Sequence, residues 1–272
     1  MANVEILSVG NELLIGKTVN TNASWMAKRL TTLGLNVNRI TTVSDDIDEI
    51  SAAVKEALER EPDFLITTGG LGPTFDDKTL EGVAKALEAL VELNEEAFRM
   101  IEEKYKAYAE EGGLEKIELT PARVKMAKLP KGARPLPNAV GTAPGVLIRH
   151  GKTTIVSLPG VPPEMESIFE NSIEPSLKKI VGKAIFFETS LGVSGIMESE
   201  LAPLIDRVMH DNPYVYIKSH PRGQERIPHI ELHLSTTAEE PSTAKNRVSR
   251  AIIQITETIQ AKGGKITRFK AK

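Results

Sequence analysis

The strongest constraint on the fold is an alternation of strand and helix that occurs three times within the first 90 residues. Each strand-like run is followed by a segment with apolar residues at helical spacing, for example VEILSV before TNASWMAKRLTTLG. This alternation predicts a parallel, doubly wound α/β sheet. Because ligands of such sheets bind beyond the carboxyl ends of the strands, the loops at that edge are where a functional site is expected.

The rest of the chain predicts a second, smaller domain. Residues 94–127 are charged and predict helix, and a loop-rich stretch, two short strands and a helix starting at Pro162 follow. After about residue 183 the predicted order is β-α-β-β-α-β, the split βαβ arrangement. We therefore predict an α/β domain over residues 1–182 and a small α+β domain over residues 183–272.

Composition excludes several classes of protein. The formal net charge is -3 and there is no cysteine, so disulfides, thiolate metal sites and a cysteine nucleophile are excluded. The N-terminal segment is expected to be the first strand of the fold and not a signal peptide, and the sequence has no apolar stretch of about 18 residues. We expect a cytoplasmic protein with no membrane partner and do not expect a nucleic-acid partner. The string GVSG (192–195) matches the Gly-x-x-Gly of RNA-binding KH modules, but here it joins a strand to a helix and few basic residues lie near it.

The first glycine loop, GNELLIGKT, lies between a predicted strand and a predicted helix. It ends in Gly-Lys-Thr like a P-loop, but five residues separate Gly10 from Gly16 where a P-loop has four. Asn20 and Asn22 flank Thr21 near the start of the next helix. Helix capping explains them in part, and lining of a ligand pocket is the alternative.

The second glycine loop, TTGGLGPTFDDKT (67–79), predicts an anion site. Gly69, Gly70 and Gly72 allow close backbone approach, and the helix that follows offers unpaired N–H groups to a phosphate. Asp76 and Asp77 are explained either as caps of that helix or as ligands of a cation. Two carboxylates beside a phosphate repel it unless a cation lies between them, and Mg²⁺ binds one or two carboxylates together with phosphate oxygens.

Two further groups of polar residues lie at predicted strand ends or along a strand. Asp45 and Asp46 follow the second strand, where capping of the next helix is one explanation and a role beside Asp77 is the other. His229, Glu231 and His233 alternate with apolar residues. That pattern favours a polar strand face over a metal site.

Four strings in order resemble one family: GNELLIGKTVNTN, TTGGLGPTFDDKT, NAVGTAPG and LPGVPPEM. They resemble the N-terminal domain of CinA, the competence/damage-inducible protein, within the MoaB/MogA molybdopterin-binding superfamily. The resemblance covers about residues 3–180. The second domain looks like the small KH-like module of CinA proteins, with GIMESEL as its clearest match. The deamidase domain that follows in many bacterial CinA proteins is not expected, because the chain stops at residue 272.

The resemblance implies a three-layer fold and two alternative functions. CinA-type domains imply metal-dependent hydrolysis of ADP-ribose to AMP and ribose 5-phosphate, whereas MoaB/MogA proteins imply binding of molybdopterin with nucleotide transfer. Asp77 matches the signature aspartate after the glycine loop, and Asp45 or Asp46 matches a second acid. Leu71 stands where the wider family commonly has a threonine. This difference favours resemblance to CinA over resemblance to the cofactor-synthesis proteins.

We assign the site accordingly. The predicted ligand is a nucleotide-type small molecule, with molybdopterin as the alternative, and the predicted metal is Mg²⁺ or a divalent transition metal. Glu12 and Asp46 are the candidate general bases, and a homo-oligomer is expected. The catalytic set is Asp77, Asp76, Asp45, Asp46 and Glu12, of which Asp77, Asp76 and Asp45 hold the metal. The binding set is Gly10, Asn11, Asn20, Asn22, Thr68, Gly69, Gly70, Gly72, Thr74, Asn138 and Gly141.

Overall fold

The computed structural model describes residues 2–112, 118–182, 185–222 and 229–268. The chain divides into two compact units, one formed by residues 1–31 and 35–181 and the other by residues 32–34 and 182–272. Each unit has a sheet and a core of its own. Among the described helices, none has the length and apolar character needed to cross a bilayer.

The N-terminal unit is built on a mostly parallel sheet with the order β2-β1-β3-β8-β7-β6. Strands β2, β1, β3 and β8 are parallel neighbours, and β7 runs antiparallel to both β8 and β6. This confirms the predicted doubly wound α/β sheet. The strands of this sheet are β1 (Asn3–Val9), β2 (Asn36–Val43), β3 (Phe64–Thr68), β6 (Arg134–Leu136), β7 (Gly145–His150) and β8 (Thr153–Leu158).

Helices cover the central strands, which explains why those strands are buried along nearly their whole length. Every residue of β3 is buried, and so is β1 from Val4 onward. One core joins the sheet to α3, α4 and α5, and Trp25 of α2 contacts Phe169 with ring centroids 5.4 Å apart. The helices are α1 (Asn11–Leu14), α2 (Thr21–Thr32), α3 (Ile47–Glu59), α4 (Thr79–Ala86), α5 (Glu95–Glu111), α6 (Pro121–Lys125), α7 (Pro162–Ile168) and α8 (Glu174–Val181), with a π-helical turn (Phe169–Ile173) between the last two.

Three short strands in this unit, β4 (Val91–Leu93), β5 (Lys128–Pro130) and β6, were not predicted. The short helix α1, which lies within the first glycine loop, was not predicted either. β4 pairs with β5 as a separate two-stranded sheet, and β5 and β6 lie in the stretch expected to be loop. The predicted helical region 94–127 contains α5 and α6, and residues 113–117 within it lie outside the described part of the chain. A strand of three residues shows no periodicity, so only its distant partner defines it.

The C-terminal unit has the predicted order β-α-β-β-α-β. Its strands form an antiparallel sheet with the order β10-β11-β9-β12, which is the split βαβ arrangement. Gly192 lies inside β9 and Gly195 follows it, so the Gly-x-x-Gly string joins a strand to a helix, as expected. The elements are β9 (Ile185–Ser194), α9 (Glu198–Asp211), β10 (Tyr216–Arg222), β11 (His229–Ala238), α10 (Pro241–Ala261) and β12 (Lys265–Arg268).

Strand β11 carries the expected polar face. Ile230, Leu232 and Leu234 belong to the core of the C-terminal unit. On the other face, Arg222 donates to Glu231 at 2.7 Å, and His233 Nε2 lies 3.0 Å from the Glu188 carboxylate. Within the described ranges, no three His, Asp or Glu side chains are grouped so that they could hold a metal ion.

Candidate functional site

A cleft of about 440 Å³ lies at the carboxyl ends of β1, β3 and β8. The chain leaves β1 towards β2 on one side and reaches β3 on the other, so the cleft lies where the strand order reverses. The predicted residues that line it are Gly10, Glu12, Asn20, Asn22, Asp45, Thr68, Gly69, Gly70, Gly72, Thr74, Asp76 and Asp77. Asn11, Asp46, Asn138 and Gly141 do not line it.

The second glycine loop requires glycine for two physical reasons. Gly69 has φ +102°, and a Cβ there would lie 2.1 Å from the backbone oxygen of Val9. Gly70 has φ +65°, and a Cβ there would lie 2.4 Å from Thr79 Oγ1. Thr79 at the start of α4 donates its hydroxyl to Gly69 O at 2.7 Å and its N–H to Gly70 O at 3.2 Å. The loop is therefore packed tightly between β1 and the start of α4.

Asp76 and Asp77 line the cleft and do not cap the next helix. The N-cap of α4 is Lys78, which makes no side-chain cap hydrogen bond. Instead, the Asp77 carboxylate accepts from the N–H of Thr74 at 2.8 Å and from its hydroxyl at 2.6 Å. The same hydroxyl lies within hydrogen-bond reach of Asp76 Oδ1, so it donates to one carboxylate at a time. Of the two alternatives, capping of the helix is therefore wrong for both acids, and both carboxylates meet at Thr74.

A lysine outside the cleft supports this turn. Lys125 at the end of α6 donates to the backbone oxygens of Thr74, at 2.5 Å, and Asp77, at 2.6 Å. The hydrogen bond from Thr74, the Asp76 backbone N–H and the charges of Lys125 and Lys78 lower the pKa of Asp76. Asp76 is therefore ionised at neutral pH. No pattern in the sequence indicates this role of Lys125, because α6 reaches the loop only in the folded chain.

The two acids after β2 have different positions. Asp45 lines the cleft, and its Oδ2 accepts from the backbone N–H of Asn11 at 2.8 Å, which holds the start of α1. Asp46 caps α3 by accepting from the N–H groups of Asp48, at 2.8 Å, and Glu49, at 3.2 Å. These backbone hydrogen bonds lower the pKa of Asp46, which is fully exposed. Asp46 therefore has the structural role of a cap, and the cleft contains Asp45.

The two asparagines of the first loop connect neighbouring strands. Asn20 Oδ1 accepts from the N–H of Ala23 at 3.1 Å, which caps α2, and Asn20 Nδ2 donates to Ser8 Oγ at 2.9 Å. Asn22 Nδ2 donates to Thr68 Oγ1 at 3.0 Å and to Gly160 O at 2.8 Å. Thus Asn20 is both a cap and part of the cleft wall, and Asn22 joins the end of β3 to the loop that follows β8.

Glu164 is a carboxylate of the cleft that the sequence did not identify. It lies in the first turn of α7, and its Oε2 accepts from Asn138 Nδ2 at 2.6 Å. Asn138 is buried behind it and also accepts from the N–H of Gly141 at 2.8 Å. A Cβ at Gly141 would lie 2.1 Å from Glu164 Cδ. Asn138 and Gly141 therefore position Glu164 and do not themselves close the cleft.

The side chains that line the cleft carry one sign of charge. Five are carboxylates, and no Lys, Arg or His is among the described residues that line it. The carboxylates belong to Glu12, Asp45, Asp76, Asp77 and Glu164. No three of them are close enough together to form a metal cage, as far as the described ranges extend. The paired Asp76 and Asp77 do fit a cation that takes its remaining ligands from phosphate and water.

Comparison with known proteins identifies the family. The model of the probable molybdopterin binding domain matches residues 5–179. The chain belongs to this family. Two archaeal proteins match nearly end to end: one from Pyrobaculum arsenaticum is 46% identical over 95% of both chains, and one from Sulfurisphaera tokodaii is 45% identical over 96% of this chain and 97% of its own.

A solved structure connects the chain with CinA. The crystal structure of a CinA protein of unknown function from Thermoplasma acidophilum is 43% identical, with a TM-score of 0.57. It covers 66% of this chain and 98% of its own. The resemblance to CinA and to the molybdopterin-binding superfamily is thus confirmed.

Proposed function

We propose that the N-terminal unit binds a phosphate-bearing pterin or nucleotide, with molybdopterin as the leading ligand. The observation that carries this proposal is the loop Gly69–Gly72, which lines the cleft directly after β3. The Gly69 N–H donates to Leu158 O at 3.0 Å, so the N–H groups of Gly70 and Gly72 are the ones that would hold the phosphate. Backbone N–H groups of such a loop hold phosphate without a basic side chain. The family of probable molybdopterin binding domains, to which residues 5–179 belong, supports the pterin.

We infer that a divalent cation enters the cleft together with the phosphate. Five carboxylates line the cleft and, among the described residues, no basic side chain does, so an anion that enters alone is repelled. In this proposal Asp76 and Asp77 hold the cation; its support is that both line the cleft, together with Asp45. The cation, when bound, neutralises phosphate charge. The direct test is calorimetric titration with molybdopterin and with AMP, each with Mg²⁺ and with EDTA.

Binding in the presence of Mg²⁺ and its loss in EDTA are the expected results. Asp77→Asn is expected to weaken Mg²⁺-dependent binding about tenfold or more, since it removes one charged ligand. Asp206→Asn, a substitution of an exposed aspartate in α9, is the matched control and keeps the parent affinity. Equal affinity with Mg²⁺ and with EDTA would contradict the cation, whereas no binding of either ligand would contradict the proposed function.

Hydrolysis of a pyrophosphate bond, with ADP-ribose giving AMP and ribose 5-phosphate, is the second candidate. It is favoured by Leu71 in place of the threonine of the wider family and by carboxylates beyond those needed for one cation. In this reaction the oxygen of water bonds to one phosphorus while the bridging P–O bond breaks, and the proton passes to a carboxylate. Glu12 and Glu164 are the candidate bases, because both line the cleft. Asp46 is set aside as a base, because it does not line the cleft and its Oδ1 accepts from the N–H groups of Asp48 and Glu49.

Measurement of product formation distinguishes the binding protein from the hydrolase. The protein is incubated with ADP-ribose and Mg²⁺, Mn²⁺ or Co²⁺, and AMP is measured by chromatography. Appearance of AMP that Asp77→Asn abolishes and Asp206→Asn keeps supports the hydrolase. Tight binding with no AMP under any metal supports the binding protein. The predicted homo-oligomer and cytoplasmic location stay predictions, and sedimentation velocity measures the first.

A further inference from the structure

The C-terminal unit contains a second cavity, of about 310 Å³, far from any motif of the glycine loops in sequence. One wall is the segment of residues 211–215, between α9 and β10. The other wall is one face of α10, where residues at positions i, i+3, i+4 and i+7 point to the same side of the helix. These are Thr243, Asn246, Arg247 and Arg250.

Hydrogen bonds hold both walls of this cavity in place. Asn212 Nδ2 donates to Gln254 Oε1 at 2.7 Å, and Gln254 Nε2 donates to Asp211 Oδ2 at 2.6 Å, which ties the segment to α10. Thr236 Oγ1 donates to Tyr214 O at 2.5 Å from the neighbouring strand. The cavity is therefore formed before any ligand arrives, which lowers the entropic cost of binding.

The aromatic ring of Tyr214 lines this cavity and is exposed. The Arg247 guanidinium carbon lies 4.4 Å from the centroid of the Tyr214 ring, and Arg247 Nη1 donates to Thr237 O at 2.8 Å. Although the guanidinium covers one face, 67% of Tyr214 is exposed. The exposed part of the ring can receive a planar group by stacking, as nucleic-acid bases stack on aromatic side chains.

Arg250 supplies an unpaired positive charge beside this ring. Within the described ranges the Arg250 side chain makes neither an ion pair nor a hydrogen bond, and the same holds for the side chains of Thr243 and Asn246. The acid in the wall, Asp211, already accepts from Gln254. A guanidinium, a hydroxyl and an amide thus offer free donors to an anion, and arginine is well suited to phosphate. Val215 is buried below them and gives the cavity an apolar floor.

We propose that this cavity binds a nucleoside monophosphate. The base stacks on the open face of Tyr214, and the phosphate accepts from Arg250, with Asn246 and Thr243 as further donors. The volume of about 310 Å³ is at the small end of the range for ligand sites. All residues of this site belong to the C-terminal unit. This proposal is therefore independent of the function proposed for the N-terminal cleft.

The test uses the full chain with methyl-labelled valine and leucine. AMP, adenosine and inorganic phosphate are titrated separately. The Val215 methyl signals report this cavity, and the Leu71 signals report the cleft. Saturable shifts of Val215 with AMP are expected, with weaker binding of adenosine and phosphate. If AMP leaves Val215 unmoved, or if adenosine binds as tightly as AMP, the proposal is wrong.

Three variants assign the contacts. Arg250→Gln is expected to raise the AMP Kd about tenfold or more, because it removes a charge-assisted hydrogen bond. Tyr214→Leu is expected to raise the AMP Kd and leave that of inorganic phosphate unchanged. Arg207→Gln changes an exposed arginine of α9 outside the cavity and serves as the matched control. An Arg250→Gln protein that binds AMP as the parent does would overturn the assignment.

Discussion

At the scale of single residues, the Thr74 hydroxyl decides how the two loop carboxylates are presented. It lies within reach of both Asp76 and Asp77, and it can donate to only one of them at a time. We predict that Thr74→Val raises the Kd for Mn²⁺ in the presence of AMP about tenfold, as loss of an outer-shell partner does. Thr74→Ser keeps the hydroxyl and binds like the parent. Equal affinities of the Val and Ser variants, measured by calorimetry, would contradict this role.

A second residue, Glu174, links stability to pH. Burial raises its pKa, but hydrogen bonds from Lys178 and Arg29 outweigh that effect and lower the pKa below the ordinary value of 4.5. The Arg29 Nε–Glu174 Oε2 distance is 2.7 Å, and Glu174 is buried. Because the pKa is lower in the folded state, this stabilisation is complete above pH 4.5 and is lost as the pH falls through the folded value.

Urea unfolding of the parent and of Glu174→Gln tests this linkage. We predict that the variant is less stable by about 1–3 kcal/mol at pH 7, the range for hydrogen bonds to charged groups. The difference narrows as the pH is lowered from 5 to 3, because the parent's carboxyl then becomes protonated. A difference that stays constant over this range would show that the ion pairs contribute nothing to the pH dependence.

At the scale of elements, the glycine loop is defined by its fit against β1. Gly69→Ala adds a Cβ that would meet the Val9 carbonyl, in addition to the strain of a positive φ. Gly132→Ala is a matched control, since Gly132 has φ +84° and no atom lies near the added Cβ. We predict a loss of about 1 kcal/mol for the control and clearly more for Gly69→Ala, measured by thermal unfolding. Equal losses would mean that the loop moves away freely from β1.

At the scale of the whole molecule, the chain has two separate cores. Ile155 is fully buried in one and Leu232 in the other. We predict two calorimetric transitions for the full chain. Ile155→Ala lowers one transition and Leu232→Ala the other, each with a loss of about 2–5 kcal/mol. A single transition, or a shift of both transitions by either variant, would show that the two units unfold together.

The sequence predicted the elements whose signals are local. β1 and β3 are buried apolar runs, α3 has Asp46 and Ser44 at its start, and the C-terminal unit follows the expected order throughout its described elements. Strands β4, β5 and β6 gave no such signal. A run of three residues becomes a strand only when a partner from elsewhere in the chain supplies hydrogen bonds, as β5 does for β4.

The candidate site was predictable in its place and only partly in its residues. Strand alternation and glycine spacing placed both loops at one edge of the sheet, because period and backbone freedom are properties of the local chain. Which acid faces the cleft was decided by tertiary structure. Asp45 meets Asn11 from another loop while its neighbour Asp46 caps a helix, and Lys125 reaches Thr74 across 51 residues of sequence. A carboxylate accepts from whichever donors the fold brings close, and the positions of those donors are fixed by packing of distant segments.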